Sequence, residues 1–208
     1  MTSPTTIAPV DLPTLPLADH SRARRGGRER ERTAYHEAGH AVMAHELGMK
    51  VTSVSIVKDD DTLGRMARRW ERWMHEIDYN VTPYREAKVQ RHIMVCYAGA
   101  AATKIQFNYG AWRGTGADTT TAVDLACCMT GKTEETEALL RWLWIRTCDQ
   151  LARPLLWAEV EATAAALLAH HELTGQEFRD LRASVVQAKL RDLTASTCQQ
   201  EKGQEHTA

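Results

Sequence analysis

The sequence predicts a mainly α fold with a small β-sheet, an α+β chain whose core is built by helices. Three observations carry this. From Thr33 onward most apolar residues recur at helical spacing, and cap or stop residues stand at the ends of several runs. Only Val51–Val57 alternates with a β-branched bias. Runs of alanine and glycine, above all Ala98-Gly99-Ala100-Ala101-Ala102, let helices approach backbone to backbone.

At 208 residues the chain is long enough for one domain with tails, placed here as an arm over 1–30, a domain over 31–190 and a tail over 191–208. A net charge of −1 gives no global field toward nucleic acid. The five cysteines form no CxxC pair and no regular framework, which fits a reducing cytosol better than a disulfide scaffold. No apolar run approaches the roughly 18 residues that suggest a membrane span. The N-terminus has spaced prolines where a signal peptide would have a basic segment and an apolar stretch. The expected location is the cytoplasm.

In chain order, residues 1 to about 20 are rich in Pro and Thr without periodicity and are expected to be disordered. Six arginines between Arg22 and Arg32 could form a basic arm, but the interleaved Glu29 and Glu31 favour a solvated lead-in to the first helix. Thr33 to Leu47 reads as that helix, with Thr33 as N-cap and Gly48 as its stop. Gly39 in its middle costs about 1 kcal/mol relative to Ala, which points to something approaching closely there. Val51–Val57 reads as a strand, Asp59-Asp60-Asp61 as a turn, and Thr62–Arg65 as the start of a second strand. Trp70 and Trp73 among the arginines of 65–80 could stack bases or form a flap over a cleft; nucleic acid is not the expected partner. Thr82 as N-cap and Pro83 at N1 open a core helix that packs on the first. A glycine-punctuated loop then leads to Asp118 and a helix over 118–129. Gly131-Lys132-Thr133 resembles the end of a phosphate-binding loop, but Ala126 stands where that pattern needs glycine. Further helices are expected over 134–149 and 154–171, with a short one over 175–190.

The first helix carries the chemistry. His36-Glu37-Ala38-Gly39-His40 is an HExxH pattern, and residues four apart share one face of a helix. Two imidazoles so placed can reach one metal ion, at about 2.0–2.1 Å for zinc. Glu37 stands beside them, off the ligand row, where it can accept a proton from a water and later return it to a leaving amine. Two ligands and a base are thus in hand, and a catalytic zinc site usually takes three ligands. Candidates for the third are Asp118, Asp124, His92, His171 and Glu172. A glycine-rich loop delivers Asp118 to a helix start, where it could equally serve as a helix cap.

The segment Tyr35-His36-Glu37-Ala38-Gly39-His40-Ala41 resembles the signature of the FtsH-type peptidases, the zinc protease domain that follows the AAA module of membrane-bound ATP-dependent proteases. The similarity continues through Val51–Val57 with Leu63-Gly64, through Tyr97–Ala102, through Gly116-Ala117-Asp118 with Asp124, and through Leu167–Phe178. It covers about residues 33–183. The resemblance implies a helical zinc-peptidase domain with a small sheet beside the HExxH helix. It implies zinc as cofactor, His36, His40 and Asp118 as its ligands, and Glu37 as general base. It also implies polypeptide substrates, lying extended along an edge of the sheet. The chain departs from that family at Ala100-Ala101-Ala102-Thr103-Lys104, where the family has an arginine and two acidic residues. The AAA module and membrane segments have no counterpart in these 208 residues, so a separate ATPase or unfoldase would be needed as partner. A homo-oligomer is compatible with the sequence. The competing expectation is a catalytically degenerate module of the same fold that binds a partner protein.

Overall fold

The structure is a computed structural model and describes residues 20–57, 65–68, 82–108 and 116–205. The expectations for residues 1–19, for Asp59–Asp61, for Trp70 and Trp73 and for the glycine loop ahead of Gly116 lie outside the described residues. In chain order the elements are α1 (His20–Glu46), β1 (Val51–Ser55), β2 (Arg65–Arg68), α2 (Pro83–Phe107), α3 (Ala117–Cys127), α4 (Thr133–Leu151), α5 (Pro154–His170), β3 (Glu172–Thr174) and α6 (Gly175–Glu205). The fold is mainly α with a small antiparallel sheet. Among the described residues no helix is long and apolar enough to cross a membrane.

Helix ends follow local chemistry where that chemistry is specific. Gly48 takes φ +79°, a left-handed value that glycine adopts without a Cβ penalty, and the Met49 amide donates to the Ala44 carbonyl to close α1. Thr82 caps α2, its hydroxyl accepting from the Arg85 amide, with Pro83 at the first helical position. At the head of α6 the Thr174 hydroxyl accepts from the Glu177 amide, while the Glu177 carboxylate accepts from the Thr174 amide at 2.8 Å. That reciprocal pair is a capping box.

Two boundaries differ from expectation. Thr33 is not an N-cap: α1 begins at His20, and the Thr33 hydroxyl donates back to the Glu29 carbonyl inside the helix. The Arg/Glu segment ahead of Thr33 consists of adequate helix formers and continues the helix outward. α6 is long, not short, because no Gly or Pro interrupts residues 176–202.

The core forms where small residues let helices meet. α2 packs along α1, and α3, α4 and α5 close around the pair. Ala34, Ala38, Ala41 and Val42 of α1 are buried against Ala98, Ala101 and Ala102 of α2 and their neighbours in one cluster. Gly39 lies at the seam: a Cβ there would come within 2.5 Å of the Ala98 carbonyl oxygen and 2.7 Å of the Ala102 Cβ. The close approach expected at Gly39 is the backbone of α2. Tyr97 meets Trp144 of α4 edge-on, with ring centroids 5.5 Å apart.

The sheet runs β2-β1-β3, both pairings antiparallel, with Val54 of β1 opposite Met66 on one side and Leu173 on the other. The third strand was not anticipated, since Glu172-Leu173-Thr174 is too short to show alternation. β1 is central, so the free edges of the sheet belong to β2 and β3. It lies beside α1, with Val51 and Val54 turned into the core.

Candidate metal centre

One turn of α1 presents His36 and His40 on the same face, their rings edge-on with centroids 4.6 Å apart. Their Nε2 atoms stand 3.0 Å from each other. Asp118 arrives from α3, its Oδ2 lying 3.3 Å from His36 Nε2 and 3.2 Å from His40 Nε2. Three ligand-type atoms therefore converge from positions 82 and 78 residues apart in sequence. Gly116 holds the N-cap position of α3 and no side chain caps the helix, so Asp118 is not its cap. Its carboxylate is turned to the histidines.

α2 fixes the imidazoles from behind. His40 is buried, and its Nδ1 lies 2.7 Å from the Val95 carbonyl oxygen. A carbonyl only accepts, so Nδ1 carries the hydrogen, and in the neutral ring Nε2 keeps its lone pair for the cluster. One turn further along α2, a Cβ on Gly99 would fall 2.5 Å from His40 Nε2 and 2.6 Å from His36 Cε1. The missing side chain at Gly99 is the room the two rings occupy. Glu37 is buried beside them.

The charges respond to this convergence. Burial works against a charged His40, but the Asp118 carboxylate, its hydrogen bond, Glu37 and the Val95 carbonyl outweigh it and raise the imidazole to about 9. Burial likewise opposes an ionised Asp118, yet His40 and His36 hold its carboxyl well below the usual carboxylate range. Without a metal ion, Asp118 thus holds a proton on His40, and a metal ion bound between the three ligand atoms would take that proton's place beside the carboxylate.

A zinc ion fits that place in size as well as charge. In a tetrahedron with bonds of about 2.0–2.1 Å, neighbouring ligand atoms lie roughly 3.3–3.4 Å apart. The observed separations of 3.0, 3.2 and 3.3 Å are close to that edge length. Two imidazole nitrogens and one carboxylate oxygen are a donor set that zinc accepts, and they leave a fourth position open.

The other candidates do not join the group. Among the described residues His36, His40 and Asp118 form a cluster able to hold a metal ion, and Asp124, His92, His171 and Glu172 are not in it. His92 is a buried residue of α2, His171 takes φ 69° to end α5, and Glu172 is exposed on β3. Asp124 is exposed on α3, six residues beyond Asp118. Sequence reasoning missed Val95 and Gly99. A backbone carbonyl leaves no mark in sequence, whereas the small-residue run around Gly99 did point to a close approach without saying what approaches.

A family model for peptidase family M41 matches residues 25–133, just over half of the chain. The match runs from α1 to the start of α4 and includes His36, Glu37, His40 and Asp118. No curated protein matches the chain.

Proposed function

The chain belongs to peptidase family M41, the FtsH-type peptidases, and from that premise we propose that it is a zinc-dependent endopeptidase acting on polypeptides. The observation that carries the reading is the convergence of His36 Nε2, His40 Nε2 and Asp118 Oδ2 within 3.0–3.3 Å of one another, with Glu37 buried beside them.

His36, His40 and Asp118 would hold the zinc. Bound there, zinc supplies Lewis acidity toward a peptide carbonyl and an attacking water. Glu37 accepts the proton of that water as it attacks and delivers it to the nitrogen of the departing amine. Its burial keeps the carboxylate short of competing solvent. The Val95 carbonyl holds His40 in the tautomer with Nε2 free, and Gly99 leaves both rings their place. An extended substrate would pair with a free edge of the sheet, which β1 does not have, through main-chain hydrogen bonds that demand little of the substrate's sequence. Unfolded chains are therefore the natural substrates, and a separate ATPase would widen the range to folded ones.

The departure at Ala100–Lys104 is the one feature that favours a degenerate, partner-binding module. Lys104 instead lies over the Trp144 ring, 5.6 Å from its centroid, and none of these residues is in the ligand cluster. The catalytic reading stands ahead of it. Glu37→Gln tests that reading: zinc content and fold should be unchanged, while casein cleavage falls by about 10²- to 10⁴-fold. Retention of most activity would overturn the assignment of the base.

A further inference from the structure

A cavity of about 510 Å³ opens between α2, α3 and α4. It is separate from the metal cluster, since none of His36, Glu37, His40 and Asp118 lines it. Tyr97, which does, stands about 200° round α2 from Gly99, where the histidine rings sit. The volume lies in the range of small-molecule sites, roughly 300–1,000 Å³. Val123 of α3 and Leu140 of α4 form its apolar sides, and Cys127 at the end of α3 adds a free thiol.

Of the lining residues only Tyr97 and Leu140 are buried. Tyr97 is 2% exposed and packs edge-on against Trp144, yet its hydroxyl makes no hydrogen bond among the described residues. That oxygen is not sealed off by protein atoms either, and the space it meets is the cavity. Buried phenols ordinarily find a partner, so this one is a donor held ready for an acceptor that enters. Burial, with Cys96 second, pushes it up to about 12, so it keeps its proton.

The other polar groups of the wall are already engaged. The Thr130 and Thr136 hydroxyls lie within hydrogen-bond reach of each other and of the Ala126 and Lys132 carbonyls. Glu134 and Glu135 occupy the first turn of α4, and Glu135 accepts from the Gly131 amide at 3.1 Å, so that helix start offers no free positive end. Glu137 has a partner of its own. Lys132 is exposed, and its long stem lets the ammonium stay in water. The cavity therefore offers a ligand apolar contact and one neutral donor, with no charge to balance its own.

We propose that this cavity binds an uncharged, mainly apolar small molecule carrying a carbonyl oxygen. Its body lies over Val123 and Leu140, and its carbonyl accepts from the Tyr97 hydroxyl. An ionised ligand is disfavoured, because it would give up hydration against apolar walls without gaining an opposite charge. The site is independent of the metal, and the proposal does not rest on peptidase activity.

Titration of the full chain with benzylacetone, cyclohexanone and hydrocinnamate tests it, with acetohydroxamate present to occupy a zinc site. Hydrocinnamate is benzylacetone with its terminal methyl replaced by an anionic oxygen, so the pair isolates charge at constant shape. Benzylacetone or cyclohexanone should bind once per chain, and hydrocinnamate at least about tenfold more weakly than benzylacetone. Two adjacent thiols report where the ligand sits: Cys127 lines the cavity and Cys128 does not, and both are free and exposed. Saturating ketone should slow iodoacetamide labelling of Cys127 and leave that of Cys128 unchanged. Val123→Trp, at a partly exposed position that accepts a larger side chain, should weaken binding at least about tenfold by filling the cavity. Tyr97→Phe keeps the ring and should weaken ketone binding a few-fold. Absence of binding by both ketones at millimolar concentration, unprotected Cys127 at saturation, or wild-type affinity in Val123→Trp would each overturn the proposal. Hydrocinnamate binding as tightly as benzylacetone would overturn the uncharged assignment, and wild-type affinity in Tyr97→Phe would overturn the role of the carbonyl.

Discussion

Two charge clusters of this molecule, each with one buried member, resemble each other in composition and differ in how they are satisfied. Glu159 of α5 is fully buried, and Arg182 of α6 reaches its Oε2 through Nε at 2.6 Å and through the adjacent Nη2. Burial, with Glu46 second, pushes Glu159 up to about 7, and burial lowers Arg182. The paired hydrogen bonds onto one oxygen are what keep both charges in place. That cluster is closed: anion and cation meet directly. His36, His40 and Asp118 bring acceptor-type atoms face to face instead, with His40 already committed through Nδ1 to a backbone carbonyl. That cluster is open to exchange: it is held by a proton shared between His40 and Asp118, which a metal ion reaching all three ligand atoms can displace. A carboxylate in a helical core is therefore not a site in itself; the site is where a metal ion can replace the proton that satisfies it.

The closed pair gives the largest expected effect on stability. Arg182→Ala leaves the Glu159 carboxylate buried without its partner and should cost about 3–5 kcal/mol in denaturant unfolding. The double change Glu159→Met with Arg182→Met should recover most of that loss, because it removes both charges. Neither should change zinc content at temperatures where the chain is folded. Loss of zinc in the folded double variant would mean that the two clusters are coupled.

The open cluster should break in the opposite way. Gly99→Ala adds a methyl 2.5 Å from His40 Nε2 and 2.7 Å from His36 Nδ1, in space the rings already fill. Zinc affinity should fall at least about 100-fold, with a much smaller change in unfolding midpoint, since alanine is the better helix former. Zinc affinity equal to wild type, measured by competition with a chelating dye, would show that the rings can move aside.

The contrast also marks what the sequence could convey. His36 and His40 were legible because both lie on one helix, where a spacing of four fixes their relation. Gly48, Thr82 and Pro83 were legible because a cap is a local event. Asp118 was legible as one of two things, a cap or a ligand, and only the packing of α3 against α2 turns its carboxylate to the histidines. The start of α1 was misplaced because Thr33 has the right chemistry for a cap, but the residues before it continue the helix. β3 and the Glu159–Arg182 pair depend on contacts that no local period announces, and the pair is separated by 23 residues.

Zinc per chain after dialysis against a mild chelator tests the open cluster most directly. Wild type and Asp124→Asn should retain about one zinc, since Asp124 lies outside the cluster. Asp118→Asn replaces an anionic oxygen with a neutral one while leaving the uncapped start of α3 as it was, so it should lose most of its zinc with little change in stability. Zinc retained by Asp118→Asn as by wild type, or lost by Asp124→Asn in its place, would contradict the account.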